Sequence, residues 1–149
     1  MNNTTEISSE DKEFMHKAAH AGHAEIKAGQ MALSKTSSAD VKKFAQRMID
    51  DHTKAGDKLK ELAASKNVTL PTEPSDEQKK KADELSKLSD EKFDAEYMDA
   101  QVSDHKKVIG FFGDETDDGA DSDVIDFATN TLPTLKSHLE MAESINANL

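Results

Sequence analysis

The chain has 149 residues with 35% hydrophobic and 33% charged content, enough for one domain with its own core and too apolar to be disordered throughout. Its formal charge of -11 excludes nucleic acid and anionic membrane surfaces as main partners and suits a cation-attracting protein. With no cysteine, disulfides and thiolate metal sites are excluded.

The polar start "MNNTTEISSED" reads as a flexible tail over residues 1–9, ahead of a single domain at 10–149. Neither a signal-peptide pattern nor an apolar run of about 18 residues stands out, so no membrane span is expected.

Four long amphipathic patterns follow, at 10–35, 39–66, 90–117 and 123–146. Capping residues mark their starts: Ser8 or Ser9, Ser37 or Ser38, Ser89, and Asp121 or Ser122. "KNV" (66–68) and "DDGA" (117–120) mark stops, with Gly119 suited to a left-handed cap. Pro133 falls inside the fourth pattern and predicts a kink or a break before it. No segment alternates with period two, so the fold class is all-α, without a sheet.

Short connections at 34–38 and 117–121 make the first and last helix pairs antiparallel neighbours. Between the second and third helices runs a long connection with an extra helix after Ser75, whose capping box includes Gln78. A connection of that length crosses the bundle and lets the third helix run parallel to the second. The expected architecture is a four-helix bundle with one long crossover between helices two and three containing a short extra helix.

Each long helix places one ligand-type side chain on its apolar stripe: Glu25, His52, His105 and His138. Counted from the turns at ~1.5 Å of rise per residue, Glu25 and His52 match in depth to about 5 Å, and His105 and His138 to about 8 Å. Burying a carboxylate beside imidazoles is costly unless each is paired. A transition metal ion such as zinc, copper or iron resolves that cost, because neutral imidazole and ionised carboxylate are ordinary ligands. "IDDH" and "VSDH" add Asp51 and Asp104, either as further ligands or as groups that hold a neighbouring imidazole in one tautomer. The competing reading is a hydrogen-bonded polar layer that only sets register in a structural or interaction bundle. A second line, His16, His20 and His23 in "HKAAHAGH", falls on the opposite side of the first helix and is expected to face solvent.

The segments "DKEFMHKAAHAGHAEIKAGQMAL", "VKKFAQRMIDDHTKAGDKLKELAASKNVTLP", "KFDAEYMDAQVSDHKKVIGFF" and "FATNTLPTLKSHLEMAESI" resemble consecutive blocks of the bacterial family known as domain of unknown function 4142. The resemblance spans about 11–146 and includes Glu25 and both Asp-His pairs. It implies a ferritin-like four-helix bundle, exported to the periplasm or beyond, and carries no established activity. Family members are often labelled outer membrane proteins, but no barrel or spanning pattern is present.

Di-iron chemistry does not follow from a ferritin-like label, because such bundles use Glu-x-x-His on two helices. The residues three before His52, His105 and His138 are Ile49, Val102 and Leu135. No nucleophile elbow, phosphate loop or cofactor fingerprint is present either, which leaves a non-catalytic metal-binding bundle as the functional expectation.

Overall fold

The computed structural model describes residues 6–149. Five helices form and, among the described residues, no strand: α1 (Ser9–Lys35), α2 (Ala39–Ser65), α3 (Asp76–Ser86), α4 (Asp90–Asp118) and α5 (Ser122–Ala147). The expected tail lies partly in residues 1–5, outside the described residues; nearer the helix, Ile7 is buried and Ser8 caps α1 through its Oγ, which accepts from the Asp11 amide.

Local chemistry accounts for the helix ends. Ser38 caps α2 and Asp121 caps α5, each accepting backbone amides of the first turn. Ser75 and Gln78 form the reciprocal capping box of α3. α2 ends in a Schellman motif: Asn67 takes a left-handed φ of 58°, and the Val68 amide reaches back to the Ala63 carbonyl at 2.9 Å.

Three local expectations are corrected. Ser89 makes no side-chain cap; instead Asp90 enters α4 at φ 53°, a conformation Asp tolerates. Gly119 is not left-handed (φ -65°, ψ 158°); a Cβ there would stand 2.6 Å from the Glu115 carbonyl, so glycine is needed for a close approach of the chain. Pro133 does not end its helix: α5 runs through it as one element.

The main packing pairs are α1 with α2 and α4 with α5; α2–α5 and α1–α4 contacts close the ring. Gly29 lets α1 approach α2, since a Cβ there would meet the Ala45 carbonyl at 3.0 Å. Phe14, early in α1, packs edge-on against Phe112, late in α4, with ring centroids 4.8 Å apart, so these helices run oppositely. Lys66, just past α2, bridges to Asp123 at the start of α5 at 2.8 Å, so those two also run oppositely.

The histidine line faces outward as expected, with His16 exposed and His20 and His23 half-buried, and it is also bound to the chain. His16 Nε2 bonds the Thr69 carbonyl and His20 Nδ1 the Glu73 carbonyl, each at 2.9 Å, and His23 lies near the Pro71 backbone. The i, i+4, i+7 spacing matches one extended strand of backbone, and these imidazoles tie the α2–α3 connection along α1.

Two apolar clusters fill the bundle. One holds Phe14, Met15, Leu59, Phe112, Val124 and Leu135; the other holds Val41, Phe44, Met48, Phe93, Tyr97 and Ala142. On every long helix the inward polar residue stands between them: Glu25, His52, His105 and His138.

At the far end, Asp11 is fully buried and accepts the Ala120 and Asp121 amides, tying the α4–α5 turn to α1. Because the backbone carbonyl beside Gly119 cannot rotate away, Gly119→Ala should lower stability by about 1–3 kcal/mol, read as an earlier urea midpoint at unchanged m-value.

Candidate metal centre

α2, α4 and α5 each deliver one buried imidazole to a common point. Ring centroids lie 6.1 Å apart for His52–His105 and 5.4 Å for both His52–His138 and His105–His138. One nitrogen from each ring lies within 4.8 Å of the other two. Two nitrogens bound to one zinc at about 2.0–2.1 Å each are at most about 4.2 Å apart, so closure asks only for small side-chain rotations.

Hydrogen bonding fixes which nitrogens face inward. His105 Nδ1–H donates to the Gln101 carbonyl at 2.8 Å, which leaves Nε2 as a lone pair. His138 Nε2–H donates to Asp51 Oδ2 at 2.7 Å, which leaves Nδ1 as a lone pair. His105 Nε2, His138 Nδ1 and His52 Nε2 are buried and have no hydrogen-bond partner. Two inward lone pairs, joined by a His52 Nε2 that also lacks a partner, are a costly arrangement for a buried layer, at about 1–3 kcal/mol each. For a metal ion they are a ready donor set, and its members are held neutral. Burial, reinforced by the other two imidazoles, pushes His52 down to about 3; burial pushes His105 down to about 4. Burial also lowers His138, outweighing its bond to Asp51, so that bond runs from a neutral imidazole to a carboxylate. Burial pushes Asp51 up, but the bonds from His138 and from Arg47 Nε, the latter at 2.8 Å, hold it below its ordinary value.

A cavity of about 400 Å³ opens against His52 and His138, walled by Leu59, Val108, Phe112 and Leu135 among others. An ion in the triad would keep a coordination position facing that cavity.

Of the six residues singled out in sequence, the structure brings His52, His105 and His138 together and places Asp51 behind His138. Neither Glu25 nor Asp104 belongs to that imidazole cluster; burial, then the charge of Asp104, pushes Glu25 up to about 8. Sequence reasoning missed Arg47, one turn before Asp51, and Gln101, whose carboxamide faces Glu25 and whose carbonyl orients His105. The i, i+4 spacings of Arg47–Asp51 and Gln101–His105 were the available signal.

The profile of a family described as "Domain of unknown function (DUF4142)" matches residues 1–145. No curated protein matches the sequence. Among solved structures, the chain is similar in fold to a DUF305 fragment from Deinococcus radiodurans, with TM-score 0.85, 12% identity and coverage of 97% of this chain and 99% of that one. It is also similar to CopM in the Cu(I)-bound form, with TM-score 0.77, 16% identity and coverage of 93% and 96%. CopM soaked with Ag gives TM-score 0.76 at 16% identity, covering 93% and 95%.

The titrations have opposite signs. His52 and His105 are neutral when folded and take protons near 6.5 when unfolded, so their contribution is lost as pH falls from 6.5 towards 4. Glu25 is protonated when folded, so its contribution is full below its unfolded value of 4.5 and is lost as pH rises through about 8. In chelator-treated protein, His52→Leu should flatten the acid limb of urea midpoint against pH, and Glu25→Gln the limb between pH 4.5 and about 8.

Proposed function

The chain belongs to the DUF4142 family, and from that membership and its buried imidazole triad we propose that it is a metal-binding helical bundle of the cell envelope, non-catalytic, serving metal storage, sequestration or stress protection. The observation that carries the reading is the set of three unpartnered nitrogens, His52 Nε2, His105 Nε2 and His138 Nδ1, aimed at one point between two apolar clusters. The export implied by the family resemblance belongs to the same proposal. So does a ferritin-like arrangement with its crossover through α3, supported by the opposed directions of α1 with α4 and of α2 with α5.

Charge and coordination favour copper in its monovalent state. Three neutral imidazoles contribute no negative charge, and carrying a single positive charge into an apolar layer costs less than carrying two. Imidazole is an ordinary copper ligand, and a bundle of similar fold, CopM, has been solved with Cu(I) and with Ag. Zinc is the next fit, with the cavity supplying its fourth ligand. Iron fits less well, because the triad holds no carboxylate among its inward atoms. In this reading Asp51, itself held by Arg47, fixes the tautomer and orientation of His138 rather than ligating.

Elemental mass spectrometry on protein purified without a His tag, followed by Cu(I) titration against a chromophoric chelator, tests the proposal. One ion per chain is expected. At ligand 100-fold above Kd the gain is about 2.7 kcal/mol, or roughly 5–10 °C in Tm. His52→Ala with His105→Ala should abolish uptake, and Asp51→Asn should weaken it about 10–100-fold. A protein that takes up neither copper nor zinc, with a Tm indifferent to both, returns the triad to a register-setting role.

A further inference from the structure

Glu25 lies outside the imidazole triad, and its surroundings have a chemistry of their own. On α4, Tyr97, Gln101 and Asp104 follow one another at i, i+4 and i+7, which puts them on one stripe of the helix. That stripe lies across the α1–α4 contact from Glu25: the Gln101 carboxamide and the Asp104 carboxylate are near enough to act on its carboxyl, and Glu25 acts likewise on Tyr97. Glu25 is 6% exposed, Gln101 3% and Tyr97 0%. One oxygen of each, Glu25 Oε1, Gln101 Oε1 and the Tyr97 hydroxyl, is buried without a hydrogen-bond partner. Asp104 is half-buried at the outer edge, with the charges of Lys81 on α3 and Lys107 on α4 acting on it.

We infer that Glu25, Asp104, Gln101 and Tyr97 form a second cation site, separate from the imidazole triad, that takes a hard divalent ion of the manganese, magnesium or calcium class. Three buried oxygens on this α1–α4 face lack a partner, and the Asp104 carboxylate is near enough to Glu25 to act on its charge. A proton on Glu25 satisfies one acceptor and leaves another of these buried oxygens unserved. A divalent ion serves all of them, and the two carboxylates neutralise its charge. Carboxylate and carboxamide oxygens are the donors such ions prefer, whereas the neutral nitrogens of the triad suit softer metals. Both sites hang on the same turn of α4, since Asp104 and His105 are consecutive, so the bundle interior offers two adjoining sites of different hardness. The half-buried Asp104 gives the inner oxygens a route to solvent beneath α3.

Mn²⁺ is the probe, because its free aqueous signal in electron paramagnetic resonance disappears on binding. Untagged, chelator-treated protein should bind one Mn²⁺ at this site. Glu25→Gln and Asp104→Asn should each weaken that binding at least 10-fold, while His52→Ala with His138→Ala should leave it within about 2-fold. Asp104 is only half-buried, so its variant decides the matter should Glu25→Gln fail to fold. Absence of Mn²⁺ binding, binding that survives both carboxylate variants, or binding that vanishes with the two histidines each overturns the second site. Because Cu(I) uptake is read separately on the same proteins, failure here is distinguishable from failure of the triad.

Discussion

Three buried imidazole nitrogens without hydrogen-bond partners, gathered between two apolar clusters, are the constraint on which the rest of the bundle depends. Left alone, they are unserved acceptors in a low-dielectric layer, where an unpaired polar atom is expensive. The protein holds them there by packing an apolar cluster above and another below, which leaves the cavity against His52 and His138 as the approach to the layer. Phe44 stands edge-on to His105 with centroids 6.4 Å apart, and Leu135 on α5 sits one turn before His138. The rings cannot turn outward without leaving space behind them, and close-packed interiors resist such voids.

Orientation is enforced from behind. His105 is tied to the backbone of its own helix at Gln101, and His138 is tied across the bundle to Asp51. The first anchor is local to α4; the second couples α2 to α5, which otherwise share a narrower contact than α1 with α2 or α4 with α5. Arg47 holds Asp51 from the solvent side, so a chain of charge-assisted bonds runs from the surface to the triad. Preorganisation of this kind lowers the cost of binding, because the donor atoms are oriented before the ion arrives.

Fold likeness alone would not support a function. At 12% and 16% identity the DUF305 fragment and CopM share the shape of this chain and little of its sequence, and one bundle shape accepts many sites. What points to metal here is the chemistry of the inward atoms. The crossover segment matters for the same reason: His16 and His20 secure it to α1, and Leu70 and Pro71 from it line the cavity that reaches the triad.

Much of this was legible in the residues. Period-3.6 stripes, serine and aspartate caps and the Ser75–Gln78 capping box determined five helices and their approximate ends, because those signals act within one or two turns. The same periodicity turned His52, His105 and His138 inward, since a residue's face follows from helical phase alone. Only the tertiary structure decided which inward groups share a point. Glu25 has the right phase and nearly the right depth, yet it meets the stripe of Tyr97, Gln101 and Asp104 instead, because azimuth around the bundle depends on how helices pack and not on counting along them. The bonds made by the outward-facing His16 and His20 were not legible for a related reason: periodicity reports a polar face, but which returning segment of chain lies along it is a long-range matter. Gly119 shows the limit at the smallest scale, where its lack of a side chain answers a neighbour's carbonyl rather than a backbone angle.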